Sequence, residues 1–368
     1  MQISGKTLYI IGVCIMLAAI LSCPSCRKSV SGSDSIQQTQ DTDVNTTVDN
    51  DTTWEIGGSN YPMYSIGDLL EHPDGSTWFV PYNLRPVIGT YHLAPDTVRN
   101  QLAIMYNNGQ RKITLDLWYS DLAPGPPLID SPIYGHVVNS RLGKLLPQHE
   151  ANLINLLDDI VNQGYNQIMF RFDTQGDSDP RGWNTWEEAR YLKNWSFVSS
   201  TKATIKKTLE GKPIKVLYDL DGELAGMTVG QTEAYFQRMW QDYVNNYGSH
   251  NTVGFSFAVS PPRSLRDAIS LYDHVGKRPD IYAFDIYGNE YEGLQFLKNE
   301  LQSAGEDKKP VFMEEVYYND PEAHREVMQA RSDLQLNIRF IMQWPEQRGA
   351  ISNNFSVQFP ADYSAYLQ

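Results

Sequence analysis

The stretch Lys215-Val-Leu-Tyr-Asp-Leu-Asp-Gly-Glu223 is a short apolar run that ends in acidic residues. Such a run is typical of a strand buried in a parallel sheet. It breaks at Gly222, and a carboxylate follows directly. A second stretch, Pro310-Val-Phe-Met-Glu-Glu-Val-Tyr317, has the same pattern. Because α/β barrels carry their chemistry at the carboxyl ends of buried parallel strands, the two stretches predict acids at one functional edge.

Composition limits the classes of partner. The chain has 368 residues, of which 41% are hydrophobic and 12% aromatic, enough for one large core of roughly 250–300 residues. The net charge is −14, from 44 acidic and 30 basic residues. This excess of negative charge argues against a polyanion such as nucleic acid as the partner and suits a neutral polysaccharide better.

The N-terminus has the features of an export signal. Lys6 precedes an apolar run over residues 8–21, which is too short to span a bilayer but has the length of a signal-peptide core. The end of this run, Ile20-Leu-Ser-Cys23, resembles the lipobox of bacterial lipoproteins. The resemblance implies a lipid-anchored protein of the cell envelope, with Cys23 lipidated and the globular domain outside the cytoplasm. An ordinary signal peptide cleaved nearby is the alternative.

Further along, composition separates a linker from the globular part. The chain's three cysteines (Cys14, Cys23 and Cys26) precede it, so we expect neither a disulfide nor a thiol nucleophile in the globular part. Residues 23–53 are poor in large apolar side chains, which predicts a flexible tether with a reach of about 30 Å. Residues 54–84 are interpreted as a lead-in segment packed on the domain formed by residues 85–368.

Apolar runs alternate with helical patterns through that domain. Eight strands are predicted, over residues 87–91, 113–118, 167–173, 215–221, 253–259, 281–287, 310–315 and 337–344. Eight strand–helix units in one chain predict a single-domain (β/α)8 barrel, the TIM-barrel form of the α/β class. An open doubly wound sheet is the competitor, but the first predicted strand runs into Gly89-Thr-Tyr-His-Leu-Ala-Pro95, which has no Gly-rich phosphate-loop pattern.

Strand alternation predicts which side chains face the barrel interior. Arg171 and Asp173 share one face of the third strand, and Asp285 and Tyr287 share one face of the sixth. On the seventh strand the same parity places Glu315 toward the site. Its neighbour Glu314 is then expected to point toward the helix layer.

These polar side chains require an explanation, because buried charges without partners cost several kcal/mol each. They form either an ion-pair network or an active site, and their position at the carboxyl ends favours the active site. Two carboxylates that face one cleft are the minimum equipment for cleaving a glycosidic bond. The long connection after the third strand adds Trp183 and Trp186, whose flat rings suit sugar faces unless they belong to the helix core.

Over residues 85–350 the chain resembles the clan A glycoside hydrolases. Tyr218-Asp-Leu-Asp-Gly-Glu223 resembles the fourth-strand signature of that clan, and Pro310-Val-Phe-Met-Glu-Glu315 resembles the seventh. Phe284-Asp-Ile-Tyr287 is similar to the sixth-strand His-x-Tyr, and Gln343-Trp344-Pro345 to the eighth-strand stretch.

The resemblance implies retaining double displacement on a poly- or oligosaccharide, without a cofactor or metal. Glu223 is then the acid/base, Glu315 the nucleophile, Tyr287 the partner of the nucleophile, and Trp344 the floor of the −1 subsite. The residues expected to bind substrate are Arg171, Asp173, Tyr287, Asp285, Trp344, Trp183 and His92.

Two departures from the clan pattern keep other functions open. Gly222 replaces the Asn that contacts the sugar 2-hydroxyl, and Asp285 replaces the His. The loss of that Asn favours a non-catalytic polysaccharide-binding lipoprotein. A metal-dependent barrel of the enolase type could use Asp173 and Asp219, but it also needs an acid on strand five, which ends Ala258-Val-Ser260.

Overall fold

The computed structural model describes residues 53–68, 83–122, 137–258, 265–350 and 355–368. The predicted signal peptide, Cys23 and nearly all of the tether lie outside these residues. Within the described ranges, none of the helices is both long and apolar enough to cross a membrane.

Strands and helices alternate along the chain. The strands are β1 Gly58–Asn60, β2 Met63–Ser65, β3 Leu84–Pro86, β4 Lys112–Ser120, β5 Val138–Asn139, β6 Gln167–Thr174, β7 Lys215–Asp219, β8 Thr252–Gly254, β9 Phe257–Ala258, β10 Tyr282–Asp285, β11 Val311–Glu315 and β12 Ile338–Gln343. The helices are α1 Val87–Thr90, α2 Pro95–Asn107, α3 Pro147–Gln163, α4 Glu188–Leu209, α5 Gln231–Tyr247, α6 Leu265–Val275, α7 Glu290–Ser303 and α8 Pro321–Asp333.

The parallel strands form one curled sheet. Its strand order is β8-β7-β6-β4-β1-β12-β11-β10-β9. Only Phe255 and Ser256 separate β8 from β9, so the two ends of the ladder belong to one stretch of chain. The sheet therefore has eight strand positions around the barrel, and the predicted (β/α)8 fold is confirmed.

The predicted first strand, residues 87–91, is wrong. Those residues form α1 and the start of a 3-10 turn at Tyr91–Leu93. The first barrel strand is instead β1, which pairs with β4 on one side and β12 on the other. It lies in the segment interpreted as a lead-in and has no apolar run to mark it. Gly58 allows its close fit, because a Cβ there would lie 1.9 Å from the Lys112 carbonyl oxygen.

Helix ends follow local signals. Gly164 adopts a left-handed conformation (φ 104°) and its N–H donates to the carbonyls of Ile160 and Val161, which ends α3 as predicted. Asp320 caps α8 through its side chain, ahead of Pro321 in the first turn, which is also as predicted. These signals need only neighbouring residues, which is why the sequence alone could identify them.

Two apolar clusters pack against the strands, one on each face of the sheet. The larger one fills the space between strands and helices, whereas the smaller one consists of strand residues. The members of the smaller cluster, which we call the apolar plug, are Met169, Leu217, Val253, Ala283, Phe312, Phe340 and Met342. The plug fills the barrel interior, since alternate strand residues point inward.

Candidate active site

A buried polar layer lies directly above the plug, two residues further along the strands. Its centre is Arg171 on β6, whose guanidinium Nη2 lies 2.7 Å from Asp285 Oδ2. Nη1 donates to Glu315 Oε1, and Nε lies 3.5 Å from Asp219 and 3.8 Å from Glu314. Four carboxylates thus share one guanidinium, so they cannot all be ionised without a large electrostatic cost.

Protonation relieves this crowding. Burial raises the pKa of Asp285 to about 7, although Arg171 opposes the shift. Burial also raises the pKa of Asp116, which pairs in register with Arg171 from β4, to about 7. The pKa of Glu314 lies well above its usual range, first because of burial and then because of the neighbouring Asp219. Both effects favour the neutral form of Glu314.

Glu314 faces the barrel interior, so the prediction that it points toward the helices is wrong. The ladder between β10 and β11 shifts register, because Phe284 pairs with Met313 whereas Asp285 pairs with Glu315. Phe312, two residues before Glu314, belongs to the apolar plug, so ordinary alternation turns Glu314 inward. Glu314 is the skipped residue of a β-bulge, and the bulge brings Glu315 to the same side. Consecutive glutamates consequently approach the same guanidinium. Neither oxygen of Glu314 has a hydrogen-bond partner among the residues that the structure describes.

Glu315 is held from two sides. Arg171 donates to its Oε1, and the Tyr287 hydroxyl donates to its Oε2. The glutamate is 7% exposed. Two donors on different oxygens fix the carboxylate in one orientation at the carboxyl end of β11.

Glu223 reaches the same place from the end of β7. It is partly exposed, its backbone φ is +58°, and its N–H donates to Ser256 Oγ at 2.8 Å. Carboxylate oxygens of Glu223, Asp285 and Glu315 all lie within 4.8 Å of one another. An upper limit of 4.8 Å between oxygens is compatible with the roughly 5–5.5 Å between carboxyl groups in retaining glycosidases.

Three carboxylates at this spacing could also ligate a divalent cation. However, both oxygens of Glu315 and Oδ2 of Asp285 already accept hydrogen bonds from Arg171 or Tyr287. A cation at this point would also lie beside the guanidinium, so the donor set fits a metal poorly.

Gly222 is explained by Arg171. A Cβ at position 222 would lie 2.7 Å from Arg171 Nε and 3.2 Å from its Cζ. The guanidinium thus occupies the space that an Asn side chain would need. Gly222 therefore departs from the clan pattern at a position where the Arg171 side chain fills the space of the usual Asn.

Asp173 lies nearer the mouth than Arg171, as their shared face predicts. Its carboxylate is 3.3 Å from Arg181 Nη2 and accepts a hydrogen bond from Gln175. Burial raises the pKa of Asp173 to about 6, against the opposing effect of Arg181. Arg181, which the sequence analysis missed, therefore adds a positive charge at the rim.

The two tryptophans predicted to bind sugar are mostly buried. Trp344 is 6% exposed and packs edge-on against Trp118, with ring centroids 6.2 Å apart. Trp183 is 7% exposed, packs edge-on against Tyr235 and donates its indole N–H to the Asp177 carbonyl. Trp118, two residues after Asp116 on β4, is more exposed than either. Alternation along the second predicted strand would have identified it.

His92, predicted to bind substrate, directly follows residues 87–91, the wrongly predicted first strand. It lies instead in the 3-10 turn among the helices, with its ring Nδ1 3.1 Å from Asn152 of α3. The structure brings together Glu223, Glu315, Arg171, Asp285 and Tyr287, with Asp173 at the rim, and leaves His92 outside this group.

Comparison with known proteins shows similarity of fold. No family model matches the chain, and no curated protein matches it. Among solved structures, a GH5_18 variant from Streptomyces cattleya in complex with Manβ1-4GlcNAc is 14% identical, with a TM-score of 0.53 over 86% of this chain and 80% of that one. A GH5_18 variant from Bifidobacterium longum subsp. longum, also in complex with Manβ1-4GlcNAc, is 10% identical, with a TM-score of 0.53 over 85% and 77%.

An exo-β-1,4-mannosidase, Op5Man5 from Opitutaceae bacterium strain TAV5, is 12% identical with a TM-score of 0.49. The alignment covers 78% of this chain and 51% of that one, so the chain spans about half the length of that enzyme. The chain has the barrel fold of the clan A glycoside hydrolases.

Proposed function

We propose that this protein is a retaining glycoside hydrolase of poly- or oligosaccharides, in which Glu315 is the nucleophile and Glu223 the acid/base. The observation that carries the proposal is the approach of these carboxylates to within 4.8 Å, from the ends of the seventh and fourth barrel strands. The firm hold of Arg171 and Tyr287 on Glu315 supports the nucleophile role.

The geometry supports a two-step reaction. Glu315 attacks the anomeric carbon and forms a glycosyl ester, while the bond to the leaving oxygen breaks and Glu223 gives that oxygen its proton. Glu223, now a carboxylate, takes a proton from water as the water oxygen attacks the same carbon. The ester bond breaks, and Glu315 returns to its starting state with retained configuration in the product.

A polysaccharide-binding protein without turnover is the alternative function. Its main support was Gly222, for which the close approach of Arg171 offers a steric reason. A glycan screen with identified products separates the two functions. Manβ1-4GlcNAc belongs in the first set, because it is the sugar bound in two barrels of similar fold.

The roles of the two acids are tested with activated substrates. Glu223→Ala should lose turnover of natural glycans but retain it on aryl glycosides with good leaving groups, which need no protonation. Azide should then accelerate the variant and give a glycosyl azide of retained configuration, visible by NMR. A first product of inverted configuration contradicts the mechanism.

We propose further that Cys23 carries a lipid that anchors the protein in the cell envelope, on the basis of the Ile20-Leu-Ser-Cys23 sequence. Cys23→Ser should move the exported protein from the membrane fraction to the soluble fraction. Cys26→Ser is the matched control and should remain with the membrane. Unchanged fractionation of Cys23→Ser contradicts the proposal.

A further inference from the structure

Glu223 has a backbone conformation that non-glycine residues rarely adopt. Its φ of +58° lies in the left-handed region, where the Cβ crowds the backbone. Such a conformation persists only where surrounding contacts hold it, and it is common at functional sites. A specific contact is therefore expected to hold the left-handed backbone of Glu223.

Ser256 makes that contact from the neighbouring strand position. It is buried in the break between β8 and β9, and its Oγ accepts the Glu223 N–H at 2.8 Å. The same Oγ lies 3.3 Å from Arg171 Nη2, and the Ser256 N–H donates to Asp219 at 3.2 Å. One serine thus joins the end of β7 to the guanidinium that holds Glu315.

We propose that Ser256 is a positioning residue that fixes the left-handed backbone of Glu223 and thereby aims its carboxylate at the leaving group. The inference rests on the proposed function, in which Glu223 is the acid/base. Ser256 acts through Glu223 and Arg171 and not through the sugar. An extended conformation at position 223 would send the side chain away from Asp285 and Glu315.

The consequence is selective. Removal of the Ser256 hydroxyl takes away the acceptor of the Glu223 N–H and the 3.3 Å contact to Arg171 Nη2. The two hydrogen bonds to Glu315, from Arg171 Nη1 and from the Tyr287 hydroxyl, remain. Proton donation should therefore suffer more than nucleophilic attack. This separates a positioning role from general loss of structure, which would weaken both steps alike.

The kinetic test is a series of aryl glycosides of one sugar, with leaving groups from phenol to dinitrophenol. Because general acid catalysis contributes about 10²–10⁴-fold, Ser256→Ala should lower kcat on the phenyl glycoside at least about tenfold. It should change kcat on the dinitrophenyl glycoside less than about twofold, with little change in KM. Ser256→Thr keeps the hydroxyl and should restore most of the loss.

The matched control is Thr252→Val, on β8, four residues before Ser256. The Thr252 hydroxyl is also buried and bonded to backbone, to the Tyr218 carbonyl and the Gly254 N–H, but it does not contact Glu223. Any effect of this variant should be the same for all leaving groups. An equal loss across the series in Ser256→Ala overturns the proposal.

A second measurement does not need turnover. Glycine tolerates a left-handed backbone and alanine does not, so Glu223→Gly should melt at a higher temperature than Glu223→Ala. The gap should narrow when both are combined with Ser256→Ala, because the backbone is then free to relax. If the protein hydrolyses no glycan but shows this difference in melting temperature and its narrowing, the proposed function is wrong and the role of Ser256 in the Glu223 backbone stands. The absence of any gap overturns the role of Ser256.

Discussion

Met169 and Arg171 lie two positions apart on β6, and Leu217 and Asp219 lie two apart on β7. In each pair the first residue belongs to the apolar plug and the second to the buried polar layer. The backbone geometry and direction of the side chains are the same in the two layers. What differs is the free-energy cost of burying the side chains. In the plug, van der Waals contacts are enough, whereas in the polar layer ion pairing or protonation must compensate for that cost.

The difference shows where stability and chemistry separate. The plug can stabilise the barrel but has no group that transfers a proton or attacks a sugar. The polar layer is expensive to bury, with four carboxylates around Arg171, and it contains Glu315, the proposed nucleophile. Mutations in the two layers should therefore differ in kind.

The largest effect is expected within the polar layer itself. Glu315→Gln should lower kcat by roughly 10⁴-fold or more, because the nucleophile is removed. Glu314→Gln should retain activity within about tenfold, since neither oxygen of Glu314 accepts a hydrogen bond from the described residues and glutamine has the same shape. Steady-state kinetics on one substrate compares them. An active Glu315→Gln enzyme, or equal losses, would show that the two glutamates are assigned wrongly.

Arg171→Met should affect both stability and turnover. It leaves several buried acids without a counter-charge, which we expect to cost about 3–5 kcal/mol of unfolding free energy. Phe312→Ala in the plug should cost a similar amount, but its folded fraction should keep the leaving-group dependence of the wild type. Urea denaturation and kinetics on both variants make the comparison. A stable, active Arg171→Met protein would mean that the layer needs no cation.

Trp344 and Trp118 test the upper edge of the polar layer. Trp344→Ala should cost about 3–5 kcal/mol, because the ring is packed against Trp118 and Phe355. Trp118→Ala should cost less and raise KM more, because that ring is partly exposed. Melting temperatures and KM values of the two variants show which ring is packed in the core and which binds substrate. A raised KM with little loss of stability in Trp344→Ala would return that ring to the sugar-binding surface.

The remaining expected effect is a pH dependence specific to the polar layer. Asp285 has a pKa of about 7 in the fold, raised by burial, against an ordinary value near 4 in the unfolded chain. The folded protein therefore binds a proton that the unfolded chain has released between about pH 4 and 7. Since the unfolded state binds fewer protons there, stability should fall as pH rises through this window.

Asp116 and Asp173 shift in the same direction and add to the slope. Asp285→Asn should flatten part of it, whereas Phe312→Leu in the plug should leave it unchanged. Melting temperatures of the wild type and both variants, measured from pH 4 to 8, give the pH dependence of stability. A stability that rises with pH through this window contradicts the proposed protonation of the layer.

Much of the architecture was predictable from runs of neighbouring residues. Seven of the eight predicted strands overlap barrel strands, and Gly164 and Asp320 end and begin helices as expected. β1 was missed, because its three residues carry no apolar signal and are buried by the two strands that flank them.

The sequence by itself determined the barrel and which strands end in acid, because hydrophobic period, caps and turns act over a few residues. Only the tertiary structure decided that Glu315 joins Glu314 on the inner side, how Arg171 fits over Gly222 and that Glu223 bonds to Ser256. Each depends on strand register or on a close approach between residues far apart in the chain. No local pattern encodes such distances, since they follow from how all eight strands close around one interior.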